Sequence, residues 1–123
     1  MDLALQTHRV DRVSFDYALV LHTDQGAELR IETPGTVTEP DGTRTTFDPE
    51  RPGDSAPVLL RLLHATISGA ERTDGGTLLV ALDNGLELDV PPHDDYEAWE
   101  LSFTDGRKVV CMPGGESATW GPA

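Results

Sequence analysis

Glycine turns cut this chain at short intervals, and between them apolar residues recur at every second position. Asp24-Gln25-Gly26, Pro40-Asp41-Gly42, Thr73-Asp74-Gly75-Gly76, Asp83-Asn84-Gly85 and Asp105-Gly106 separate the runs. Aspartate and asparagine hydrogen-bond their own backbone and glycine accepts positive φ, so each of these reads as a hairpin turn. The runs have the period of a strand with one buried face. Ala27, Leu29 and Ile31 alternate with Glu28, Arg30 and Glu32. Leu86, Leu88 and Val90 alternate with Glu87 and Asp89, and Trp99, Leu101 and Phe103 with Glu100 and Ser102. Tyr17 to Thr23 and Thr77 to Leu82 are apolar on both faces, as central strands are.

The remaining segments fit the same plan. His8 to Ser14 and Ala65 to Arg72 read as further strands, and Thr36 to Glu39 and Thr43 to Phe47 as a threonine-rich hairpin. Asp48 to Ser55 is a loop rich in proline and charge. The period then changes. Ser55 can cap a helix and Pro57 suits its first turn. Val58, Leu59, Leu62 and Leu63 fall on one side of a 3.6-residue repeat, widened by Leu60, which predicts one helix from Ala56 to His64 with Leu59, Leu62 and Leu63 buried. The expected fold is mainly β: nine or ten short antiparallel strands in a sandwich or strongly bent sheet, with one packed helix. Residues 1–123 suit a single domain.

An internal repeat runs through this pattern. Shifted by 59 positions, Leu19 matches Leu78, Asp24 matches Asp83, Gly26 matches Gly85, Glu28 matches Glu87 and Leu29 matches Leu88. Turn chemistry alone accounts for half of these matches. The rest support two similar β-meanders related by a pseudo-twofold.

The stretch from Tyr96 to Trp120 holds both tryptophans and the single cysteine. Asp105-Gly106 reads as a tight turn with two positive-φ positions, Val109 to Cys111 as the return strand, and Pro113-Gly114-Gly115 as a corner before a last short strand. The blocks HDDYEAWEL (from His93) and DGRKVVCMPGGESATW (from Asp105), with HRVDRVSFDYALVL (from His8) and ELRIET (from Glu28), resemble a family of small actinobacterial domains of unknown function. The resemblance implies a soluble bacterial protein and brings no catalytic residues with it.

Charge narrows the partners. Twenty-two acidic residues face nine basic ones, a formal net charge of −13. Such a chain repels nucleic acid and anionic membranes, favours solubility, and allows a basic protein partner or a cation. One cysteine forms no internal disulfide. The N-terminus, with Asp2 and no basic or long apolar run, is not that of a signal peptide, and no stretch has membrane-spanning length. A cytoplasmic location is expected.

No catalytic constellation emerges. His93, Asp94 and Asp95, with Glu97 and Glu100, are the densest set of ligand-type residues. On a strand, Glu97 and Glu100 point to opposite faces, so a solvated acidic loop is favoured over a metal site, and no cofactor is expected. His22 reads as a hydrogen-bonded core or edge histidine, and Cys111 as a buried, inert thiol. Trp99 and Phe103 are assigned to the core. An interaction surface is expected at His93, Asp94, Asp95, Tyr96 and Trp120, with Trp120 at a homodimer contact. These readings favour a non-catalytic binding module, of inhibitor or immunity type, over a small enzyme or ligand carrier with a pocket between helix and sheet.

Overall fold

The computed structural model describes residues 1–121. It is mainly β, with eleven strands, one short α-helix and two 3-10 turns among those residues. The strands are β1 (Val10–Phe15), β2 (Leu19–Thr23), β3 (Ala27–Ile31), β4 (Gly35–Thr38), β5 (Arg44–Phe47), β6 (Ile67–Arg72), β7 (Leu78–Leu82), β8 (Glu87–Val90), β9 (Trp99–Phe103), β10 (Lys108–Cys111) and β11 (Ser117–Trp120). Helix α1 (Ala56–Leu60) follows a 3-10 turn at Gly53–Ser55. All pairings are antiparallel, in two sheets ordered β1-β2-β3-β9-β10-β11 and β5-β4-β8-β7-β6.

The two sheets are built from equivalent parts. Leu19 pairs with Ile31 and Leu21 with Leu29 in the first, as Leu78 pairs with Val90 and Val80 with Leu88 in the second, the shift of 59 carried into strand register. The first strand of each meander has a bulge at the same place, between Val10 and Arg12 and between Ile67 and Gly69.

The correspondence extends to the hairpins β4–β5 and β9–β10. Val37 opposes Leu88 and Thr45, and its counterpart Leu101 opposes Leu29 and Val109. Each hairpin has crossed over: β4 follows β3 in sequence but pairs with β8, and β9 follows β8 but pairs with β3. Each half of the chain therefore completes the other half's sheet.

The inner faces bury Leu19, Leu21, Leu29, Ile31 and Leu101 from the first sheet against Val37, Phe47, Leu78, Val80, Leu88 and Val90 from the second. Burial of one such side chain is worth roughly 1.5–3 kcal/mol, so this shared interior dominates stability. Trp99 is buried and its indole N–H donates to the Gly76 carbonyl at 3.1 Å. Phe103 is half-buried against the same cluster.

Two local expectations need correction. The helix ends at Leu60 and not at His64; residues 61–64 form a turn, and His64 takes φ 69°. The His64 N–H donates to the Val10 carbonyl at 2.7 Å, so the backbone leaves the helix to pair with the first strand. Leu59 and Leu62 are buried as expected, but Leu63 is 38% exposed and Leu60 50%. The β9–β10 turn is a three-residue loop, Thr104-Asp105-Gly106, closed by Phe103 N–H to Arg107 O at 2.9 Å. Only Gly106 has positive φ there, because a three-residue hairpin needs that conformation at its last position alone.

Candidate functional site

Strand register lays out the outward faces as grids. Across the second sheet one row runs Asp2, Glu71, Leu79, Asp89, Thr36, Thr46, and the next runs Gly69, Ala81, Glu87, Thr38, Arg44. Asp2 joins the row because the N-terminal segment bridges to β6 at Glu71. These positions line an open groove of about 690 Å³ that reaches from Asp2 and Gln6 across the sheet to Arg44. Its floor is small and apolar at Gly69, Leu79 and Ala81. Its rim carries Asp2, Glu71, Glu87 and Asp89 against one cation, Arg44.

The equivalent face of the first sheet differs in charge pairing. Its rows run Ser14, Val20, Arg30, Glu100, Val110, Ala118 and Arg12, His22, Glu28, Ser102, Lys108, Trp120. Among the described residues most of these charges, Arg12 excepted, have partners: Lys108 lies 3.6 Å from Glu100, the His22 ring 3.8 Å from Glu28, and Arg30 2.9 Å from Glu32. In the second sheet the positions of His22 and Glu100 are held by Ala81 and Thr36. Glu87 and Arg44 thus lose the cross-strand partners that their counterparts Glu28 and Lys108 keep. Among the described residues, Asp2, Glu71, Glu87 and Asp89 take part in no ion pair. Unpaired carboxylates over an apolar floor attract a ligand that brings positive charge and some apolar surface.

A family model described as Family of unknown function (DUF6188) matches residues 1–121. The chain belongs to that family. No curated protein and no solved structure matches it.

In this DUF6188 chain the residues expected to form an interaction surface are split between two places. His93, Asp94, Asp95 and Tyr96 lie in the connection from β8 to β9, residues 91–98, beside the 3-10 corner Pro113–Gly115. The Gly114 N–H donates to the His93 carbonyl at 2.9 Å, and His93 Nδ1 accepts the Asp95 N–H at 3.0 Å. The His93 and Tyr96 rings are tilted, 5.0 Å apart. Asp94, Asp95 and Tyr96 are exposed, Tyr96 to 64%. Trp120 sits at the far end of β11 from this corner, 56% exposed, with the Lys108 ammonium 5.8 Å from its ring. No group of three or more histidine, cysteine or acidic side chains is arranged to hold a metal ion among the described residues.

The DUF6188 groove lies where no short motif points. The signal available in the sequence is the 59-position repeat, which sets His22 against Ala81 and so leaves Glu87 without the partner of Glu28. Reading it needs the register of both sheets.

Other chemistry-bearing groups are accounted for structurally. Cys111 is fully buried, burial pushes its thiol pKa up, and its Sγ lies 3.4 Å from the Gly76 carbonyl, so it is protonated and inert. The expectation for His22 needs correction: it is half-buried on an outer face beside Glu28. His8 is the buried histidine, with Nδ1 2.7 Å from Thr23 Oγ1. Burial holds its pKa below the usual histidine value, partly offset by Asp24. No described helix is long and apolar enough to cross a membrane.

Proposed function

We propose that this DUF6188 chain is a non-catalytic binding module whose working surface is the outer face of the second sheet, and whose partner is a basic protein segment. The observation that carries the reading is the contrast between equivalent faces: on one, Glu100 lies beside Lys108 and Glu28 beside the His22 ring, while the other keeps four carboxylates outside any ion pair around an apolar-floored groove. The acidic balance of the whole chain supports the same partner chemistry by steering cations toward it. A role as inhibitor or immunity-type protein in a bacterial cytoplasm suits a small acidic chain with a masking surface. A pocket between helix and sheet, as an enzyme or carrier needs, has less support, since Leu59 of the helix and Leu62 of the turn after it are buried in the core.

The test uses an oligolysine peptide as probe and backbone amide shifts as readout. Shifts are expected in β6, β7 and β8 and near Asp2, weakening as salt rises. Glu87→Lys should weaken binding at least tenfold, and Glu50→Lys, the same charge change in an exposed loop, by less than threefold. Equal losses in the two variants would reduce the interaction to net charge and remove the site.

A further inference from the structure

The last strand, β11, is an addition to the duplicated plan. Strand β10 corresponds to β5, which is the outer edge of the second sheet, so the first sheet has one strand more. None of the four residues of β11 is buried. It completes no core, and it replaces the edge of β10 with another edge.

That edge is open. The Met112 N–H donates to the Glu116 carbonyl at 2.7 Å, which closes the β10–β11 hairpin. Hydrogen-bonded pairs alternate along an antiparallel ladder, so Ala118 and Trp120 turn their backbone groups toward Val110 and Lys108. Ser117 and Thr119 turn theirs outward. The strand itself, Ser-Ala-Thr-Trp, carries no charge. The other edges are defended. Residues 1–3 cover β6, with Leu3 N–H on Ala70 O at 3.0 Å and Arg72 N–H on Met1 O at 2.8 Å. Strand β1 has its bulge and the charges of Asp11 and Arg12. Strand β5 carries Arg44 and lies beside the 3-10 turn Gly53–Ser55. An uncharged, unbulged edge is a template for strand pairing.

We infer that β11 is the contact for a second copy of this chain, paired antiparallel about a twofold axis at Ala118. The strand is self-complementary in this register: Ser117 of each copy meets Thr119 of the other through outward backbone groups. Both Trp120 rings then lie on one face, flanking the two small Ala118 side chains. Four residues a side make a small interface, at the weak and transient end of the range, so the dimer dissociates on dilution.

Sedimentation and amide exchange test this together. The wild-type chain should sediment at about twice 13.3 kDa at tens of micromolar and as a monomer well below one micromolar. Thr119→Pro removes one outward N–H and no bond to β10, because Thr119 and Val109 form a non-hydrogen-bonded pair, so it should yield a folded monomer. In the wild type, exchange at Thr119 should slow with concentration. Trp120→Ala should weaken the dimer at least tenfold. A wild-type chain that stays monomeric, a dimer that survives in folded Thr119→Pro, or Thr119 exchange indifferent to concentration overturns the proposal.

Discussion

Arg9 and Thr66 face each other across an antiparallel bridge, and they are equivalent positions in the two halves. Val10 N–H reaches Ala65 O at 2.9 Å, and the matching bond runs from Ile67 N–H to His8 O at 2.7 Å. Each position is clamped by an aspartate from its own meander. Asp24 accepts the Arg9 N–H and Asp83 the Thr66 N–H, both at 2.9 Å, and each aspartate returns its own N–H to the carbonyl it faces. Two positions before each, Thr7 and His64 share positive φ of 74° and 69°. The pseudo-twofold axis of the molecule passes through this bridge.

The clamps should act alike. Asp24→Ala and Asp83→Ala should each cost about 1 kcal/mol, the net value of a hydrogen bond of this kind. Urea melts check this. A loss confined to one of the two would mean that the symmetry of the contacts is not a symmetry of their energies.

The end of the helix gives a sharper contrast. Leu62→Ala should cost roughly 2–5 kcal/mol, because the site is closed, and Leu63→Ala less than about 0.5 kcal/mol, because its side chain meets solvent. Equal costs in denaturant melts would return Leu63 to the core.

Backbone approaches backbone at the β10–β11 corner. Gly115 has φ 96° and a Cβ there would strike the Gly75 carbonyl, whereas Gly114, at φ 85°, has open space around its Cβ position. Gly114→Ala should cost about 1 kcal/mol from conformation alone. Gly115→Ala should cost more than about 2 kcal/mol, since the corner must also part from the β6–β7 turn. Thermal melts of the two variants side by side decide.

His8 makes stability pH-dependent. Its pKa is lower folded than unfolded, chiefly through burial, so between the two values the unfolded chain binds more protons. Its contribution is complete above the unfolded value of about 6.5 and is lost as pH falls from there through the folded value. Denaturant midpoints should drop across that window in the wild type and stay flatter in His8→Gln. The same drop in both would assign the dependence to other groups.

The meanders were legible in the sequence because Asp24-x-Gly26 and Asp83-x-Gly85 keep one spacing to Leu29 and Leu88. The hairpin repeat was hidden. Thr36-Val37-Thr38 with Asp41-Gly42 answers Glu100-Leu101-Ser102 with Asp105-Gly106, but the connection before it has three residues, 32–34, in one half and eight, 91–98, in the other. The extra five residues move the register, and they fall in the loop that holds His93 to Tyr96. That loop is dense in ligand-type side chains, and in the fold it is where the two halves differ in length. Leu62 and Leu63 fit a 3.6 repeat that carries the expected helix to His64, and the bond from His64 to Val10 interrupts it. The acidic groove was illegible because its defining fact is two missing cross-strand partners, and those are set by pairing between distant segments.

The exchange of hairpins between sheets has a consequence in time. Strand β3 waits for β9, about seventy residues later in the chain, and β4 waits for β8. A nascent chain emerging N-terminus first therefore carries the β1–β2–β3 meander with the hydrogen-bonding edge of β3 unpaired until Trp99–Phe103 has been made, and with its apolar face uncovered until the second sheet is complete at Val90. Contacts of such long sequence separation place folding in the slow, millisecond-to-second range of β proteins. Over that interval the net charge of −13 makes incomplete chains repel one another, which disfavours their association before the later hairpin arrives.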